Sequence, residues 1–119
     1  IKPEVAESVL HMMETVVSRE GTAVQAAIPG YRVAGKTGTV HKTKRGGYEA
    51  NTYLALFAGI VPVSNPDLIM VVVVNEPSRG VYYGGKVAAP VFKEVMEEAL
   101  RLRQIPPDQI MDLPKDKVS

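Results

Sequence analysis

The sequence predicts an α+β domain: a helix, a three-stranded antiparallel meander, a second helix and a polar tail. Three observations carry this. Apolar residues recur at helical spacing near both ends of the 119-residue chain. Between them lie three runs rich in β-branched residues, separated by glycine- and proline-bearing turns. The connections between those runs are too short for a crossover helix, so neighbouring strands must run antiparallel.

The first helix is expected from Pro3, whose missing N–H has no partner to lose in a first turn, and Glu4 and Glu7 complement the positive helix end. Val5, Val9, Met12, Met13, Val16 and Val17 form one stripe, expected to pack in the core with His11 on the surface. The helix is expected to stop near Gly21. Strands are expected over Tyr31 to Val40, Tyr53 to Val61 and Leu68 to Asn75, with turns at Gly46-Gly47 and Pro62 to Pro66. Apolar residues on both faces of the second and third strands predict a sheet covered on both sides, with helices as the cover. The unbroken apolar run Leu68 to Val74 should have one neighbouring strand in this chain and one free edge, open to pairing with another copy. Gly84-Gly85 opens the last element, and Pro90 fits its first turn. Val91, Phe92, Val95, Met96, Ala99, Leu100 and Leu102 give it one apolar face before Ile105-Pro106-Pro107 ends it. Residues 1–108 read as one unit and 109–119 as the tail.

Composition narrows the function. Fourteen basic and thirteen acidic residues leave a net charge of +1 with no long run of one sign, so no nucleic-acid or membrane-surface footprint is present. The absence of cysteine excludes disulfides and thiolate metal sites, and with only two histidines no metal or other cofactor is expected. The run Leu68 to Val74 is far short of the roughly 20 residues a membrane helix needs. An opening of Ile1-Lys2-Pro3, without initiator methionine or signal peptide, suggests a fragment of something longer.

One motif misleads. Gly30-Tyr31-Arg32-Val33-Ala34-Gly35-Lys36-Thr37 satisfies the phosphate-loop pattern, and the strand ending at Asn75-Glu76 imitates the acidic strand that accompanies it. A phosphate loop works because its Lys-Thr opens a helix whose free N–H groups hold the phosphates. Here Gly38-Thr39-Val40 comes next, and a glycine with two β-branched residues starts no stable helix. Pro29 also stands where the preceding strand should end.

Read as a strand, Lys36-Thr37-Gly38-Thr39 is a Lys-Thr-Gly box. Side chains alternate across a strand, so Thr37 and Thr39 emerge on one face, and their hydroxyls with the nearby Lys36 ammonium suit a terminal carboxylate. Gly38, lacking a Cβ, lets a substrate backbone lie close. The N–H of Thr39 can point at a carbonyl under attack, and fixed donors of this kind stabilise an oxyanion by roughly 3–4 kcal/mol.

The stretch Tyr31 to Thr39 resembles the class B penicillin-binding proteins, as do Phe57-Ala58-Gly59 through Pro62 and Val71 to Pro77. Tyr82-Tyr83-Gly84-Gly85 followed by Ala89-Pro90-Val91-Phe92 is similar to the division-specific members. The resemblance runs in unbroken order over roughly residues 3 to 108 and implies the C-terminal part of a transpeptidase domain, of the fold shared with serine β-lactamases. In that family a serine attacks the penultimate D-alanine carbonyl of a peptidoglycan stem peptide, and the acyl group passes to an amine on a neighbouring stem. β-Lactams trap the acyl form.

Carried onto this chain, the resemblance gives Lys36 an electrostatic role beside the serine relay, Thr37 and Thr39 the carboxylate, and the Thr39 N–H half of the oxyanion hole. Tyr53, Tyr82 and Tyr83, with Gly84, correspond to the pocket wall. His41 stands where many relatives have a basic side chain and is expected on a surface loop. No serine here begins a Ser-x-x-Lys or Ser-x-Asn box, so both are expected upstream, and the isolated chain is expected to be inactive. The implied setting is the outer face of the cytoplasmic membrane. The implied partners are D-Ala-D-Ala stem peptides, β-lactams, the upstream part of the same domain and other division proteins. Two other classes stay open at this point: a nucleotide-binding module, and a non-catalytic or sensor relative with the same fold. Within the enzyme class, carboxypeptidase and β-lactamase outcomes depend on parts outside these residues.

Overall fold

The computed structural model describes residues 1–44, 47–77 and 83–109, with the side chains of 43–51 outside that description. Its elements are α1 (Pro3–Val17), β1 (Ala34–Lys44), β2 (Gly47–Val61), β3 (Leu68–Asn75), α2 (Gly84–Val87) and α3 (Ala89–Leu102), with a 3-10 turn at Val24–Ala26. The sheet order is β1-β2-β3, antiparallel throughout, which is the expected meander.

Pairing register divides the side chains between two faces, because residues directly opposite one another project the same way. Thr37 lies opposite Phe57, which lies opposite Val72, while Thr39 joins Ala55 and Val74 on that same face. Here Ala55, Phe57 and Val61 are fully buried, and Leu68, Met70, Val72 and Val74 pack against the same core. The cover is α3. Phe92 meets Phe57 edge to face at 5.0 Å, and Met96 and Leu100 continue the apolar line one helical turn at a time. Gly59 sits under the Phe92 ring, where a Cβ would collide with it.

The other face differs from expectation. Ile69, Val71 and Val73 are 73%, 60% and 56% exposed, so β3 is covered on one face, not two. The α1 stripe is also only partly realised. Val17 is buried and Met13 and Val16 are half-buried, but Val5, Val9 and Met12 face solvent. The helix packs on β1, and Ala6 and Leu10 line a cleft with Ile60 and Val63, so α1 stops short of β3.

Smaller corrections have local causes. α1 ends at Val17 because Ser18 leaves helical geometry and turns its hydroxyl onto the Thr15 carbonyl. β1 begins at Ala34, later than Tyr31, because residues 30–32 bond to the segment after α3 and not to β2. β1 and β2 extend past Val40 and before Tyr53 into a long hairpin with a register shift between His41 and Thr43. The last helix is broken at Ala88 into α2 and α3, and Val91, Val95 and Leu102 are exposed, not part of its core face. The tail beyond residue 109 lies outside the described residues. No helix among the described residues is long and apolar enough to cross a membrane.

Candidate active site

β1 carries the Lys-Thr-Gly box through its centre, at one edge of the sheet. An 11-residue strand there leaves no helix start at Lys36-Thr37, so the phosphate-cradling geometry is not built.

Lys36 is exposed and pairs across β2 with Ala58 on the open face, opposite to Thr37 and Thr39. Its ammonium bends back along the sheet edge and donates to the Thr37 carbonyl at 2.8 Å. Residues two apart on a strand turn their backbone groups to the same side, so the N–H and C=O of Thr39 share the side of the Thr37 carbonyl that Lys36 reaches. Thr39 is exposed, and the half-exposed Thr37 has its hydroxyl 3.4 Å from that of Thr22.

Gly38 has a packing reason of its own. A Cβ there would lie 2.7 Å from the Leu56 side chain on the open face. Because Gly38 and Leu56 project to that face, their backbones are bare on the other side, and Gly84 fills the space. A Cβ on Gly84 would collide with the Leu56 carbonyl and lie 3.0 Å from that of Gly38. Gly85 makes the same kind of contact with the Thr22 carbonyl. Two adjacent glycines thus let α2 close on the box and on the Thr22 loop.

Gly84 is therefore brought to the box, and Tyr83, 58% exposed, stands beside it at the start of α2. Tyr53 is half-buried and stacks on His41 with ring centroids 4.7 Å apart. His41 is accordingly a strand residue in a cross-strand aromatic pair, not the surface-loop histidine expected, because β1 continues to Lys44. Tyr82 lies outside the described residues. His11 is on the α1 surface as expected, 3.8 Å from Glu7 and 3.6 Å from Glu14. No cluster of metal-ligating side chains occurs among the described residues.

Sequence reasoning passed over Thr22, which sits in a loop without periodicity, and Arg32, four residues before Lys36. Arg32 holds Glu14 of α1 through two contacts at 2.8 and 2.9 Å. These hydrogen bonds hold the Glu14 carboxyl below the usual carboxylate range and push the Arg32 guanidinium further up. A lone arginine between Tyr31 and Val33, with one glutamate on the half-buried side of α1, was the available signal.

The fold has counterparts among known proteins. The family model described as the penicillin binding protein transpeptidase domain matches residues 1–97. The peptidoglycan D,D-transpeptidase FtsI of Escherichia coli (strain K12) is 47% identical over 106 residues, covering 89% of this chain and 18% of that protein. A probable peptidoglycan D,D-transpeptidase, PbpC of Pseudomonas aeruginosa, is 42% identical over 112 residues, covering 94% of this chain and 20% of that protein. Among solved structures, the transpeptidase domain of Burkholderia pseudomallei penicillin-binding protein 3 superposes with a TM-score of 0.84 at 42% identity, over 92% of this chain and 33% of that one. A Mycobacterium penicillin-binding protein 3 complexed with ampicillin gives a TM-score of 0.82 at 30% identity, over 96% of this chain and 27% of that one. The chain thus spans about a fifth of the length of these curated relatives.

Proposed function

The chain belongs to the penicillin-binding protein transpeptidase domain family, and from that premise we propose that it is the C-terminal part of a division-type peptidoglycan D,D-transpeptidase. The serine nucleophile and the Ser-x-Asn box belong, in this reading, to the part of the fold that these residues do not span. The serine oxygen attacks the penultimate D-alanine carbonyl, the C–N bond breaks, and the terminal D-alanine leaves with the proton. An amine of a second stem peptide then displaces the serine, forming the cross-link and returning the serine proton.

Lys36 supplies positive charge beside the serine relay. Thr37 and Thr39 hold the terminal carboxylate through their hydroxyls. The Thr39 N–H stabilises the oxyanion together with the N–H of the nucleophile, and a donor already fixed in a strand needs no reorganisation as charge develops. Tyr53, Tyr82, Tyr83 and Gly84 form the pocket wall. The reaction takes place at the outer face of the cytoplasmic membrane, in company with other division proteins, and calls for no cofactor.

One observation carries this reading. Lys36 and the backbone of Thr37 meet at a strand edge with no partner strand among the described residues, the arrangement that receives an extended substrate as a further strand. The test is labelling with a fluorescent penicillin of the protein that carries this segment, alongside the isolated 119-residue chain. The reading expects a covalent label on the former, displaced by a stem peptide ending in D-Ala-D-Ala, and none on the latter. An unlabelled, folded longer protein would favour a non-catalytic relative, and a one-β-lactam mass shift on the isolated chain would contradict the placement of the nucleophile.

A further inference from the structure

We propose that Arg32 is a positioning residue for the Lys36–Thr39 strand, holding the start of β1 against three separate elements. This inference rests on the acyl-transfer reading of that strand.

Arg32 is engaged through its side chain and its backbone alike. Its guanidinium donates from Nε to one Glu14 oxygen at 2.8 Å and from a terminal nitrogen to the other at 2.9 Å. That two-pronged geometry fixes orientation as well as distance. Its backbone N–H donates to Asp108 Oδ1 at 2.7 Å, and its carbonyl accepts the Val63 N–H at 2.9 Å. The three partners come from α1, from the segment after α3, and from the turn between β2 and β3.

These partners are themselves tied together. The second Asp108 oxygen accepts the Ser64 N–H at 3.2 Å and its hydroxyl at 2.8 Å. The Gly30 carbonyl accepts the N–H groups of both Asp108 and Gln109, and the Tyr31 hydroxyl donates to the Ile105 carbonyl. Arg32 is thus the point at which a helix, a turn and a strap all fasten to the chain just before β1.

The position matters because the box strand starts two residues later. Among the described residues β1 is an edge strand paired with β2, so the backbone groups on its other side have no sheet partner there. Four residues of chain lead from Arg32 to Lys36, at most about 13 Å at the usual strand rise. A shift at the anchor is therefore carried along the strand to Lys36, Thr37 and Thr39 together. At a reacting centre, a misplacement of about 1 Å can cost on the order of 100-fold in rate. None of the Arg32 contacts involves the box residues, so its effect on the reaction is through placement of the strand.

The test uses the full transpeptidase domain that carries this segment, measuring the β-lactam acylation rate constant at saturation, the apparent dissociation constant, and the melting midpoint. Arg32→Gln and Glu14→Gln should each lower the acylation rate constant about ten-fold, within the scale that misplacement permits. The melting midpoint should change little. Arg32→Lys, keeping the charge but losing the two-pronged contact, should fall between. The double variant should be no slower than Arg32→Gln alone, because both changes remove one interaction. Arg32→Gln within two-fold of wild type, or a loss that tracks only the unfolded fraction, overturns the inference. Lys36→Ala run in parallel separates the two claims. If it leaves acylation intact, the acyl-transfer reading fails; if it abolishes acylation while the Arg32 and Glu14 variants behave as wild type, only the positioning inference fails.

Discussion

The two faces of the sheet are made of the same kinds of residue and have different surroundings. On one, Ala55, Phe57 and Val61 are fully buried beneath α3. On the other, one residue out of step, Ile69, Val71 and Val73 remain more than half exposed. Nothing in their chemistry separates them, since valine and isoleucine are as suited to one face as to the other. The difference lies in supply: α3 runs over β2 and β3, while α1 packs on β1 and leaves β3 open. Apolar character along a strand states what a face can bury, and the neighbouring elements decide what it does bury. The box strand stands where this contrast matters most, sending Thr37 and Thr39 to the covered face and Lys36 to the open one.

The strongest way to test the contrast is to empty the covered side. Phe92→Ala removes the ring that meets Phe57 and closes over Gly59, and it should cost about 3–5 kcal/mol in urea unfolding. That is a large share of the roughly 5–15 kcal/mol typical of a folded domain. A loss below about 1 kcal/mol, the size of a small core trim, would mean that α3 is not the principal cover. Next comes Gly85→Ala, whose new Cβ has to push the Thr22 carbonyl aside; about 1–3 kcal/mol should be lost, as in other overpacked sites. Unchanged stability would show that α2 does not close on the Thr22 loop.

A smaller effect is expected at the Glu14–Arg32 pair. The bond to Arg32 holds the Glu14 carboxyl below its ordinary range, so its contribution to stability is present above the unfolded value of about 4.3. It is lost as pH falls through the lower folded value. Melting midpoints measured from about pH 6 down to about pH 3 should fall more steeply for wild type than for Glu14→Gln. Parallel curves would remove the ion pair from the account.

The smallest stability effect belongs to the open face. Val71→Lys should move stability by no more than about 0.5 kcal/mol, as an exposed site does. It should nonetheless reduce self-association of the isolated chain in light scattering, because a charge on an exposed aliphatic edge strand blocks pairing with another copy. Marked destabilisation would show that the face is covered in solution.

Much of this fold was legible in local pattern. Leu68 to Asn75 was readable because an unbroken aliphatic run between turn residues has few other readings, and Pro3 and Pro90 marked the helix starts. What escaped was set by tertiary contacts. Gly47 and Tyr48 carry no apolar alternation and pair with Lys44 and Thr43 because the hairpin continues, and that continuation also turned the expected loop histidine His41 into the stacking partner of Tyr53. Exposure of Val5, Val9 and Met12 could not be read from a stripe that carries the same periodicity whether covered or bare. At the site, Lys36-Thr37-Gly38-Thr39 announced itself as a motif, whereas the roles of Gly84 and Gly85 in docking α2 required the backbone of Leu56 and of Thr22 to be seen beside them.

The acyl-transfer role proposed for the edge strand bearing Lys36 is tested most directly by the rate of β-lactam acylation of the longer protein with Lys36→Ala. Lys36 is exposed and its ammonium contacts only the Thr37 carbonyl among the hydrogen bonds described, so its loss should leave the melting midpoint unchanged. Acylation should slow on the order of 100-fold or more, the cost of removing a well-placed electrostatic group from an acyl-transfer site. Acylation at the wild-type rate by a fully folded variant would contradict it.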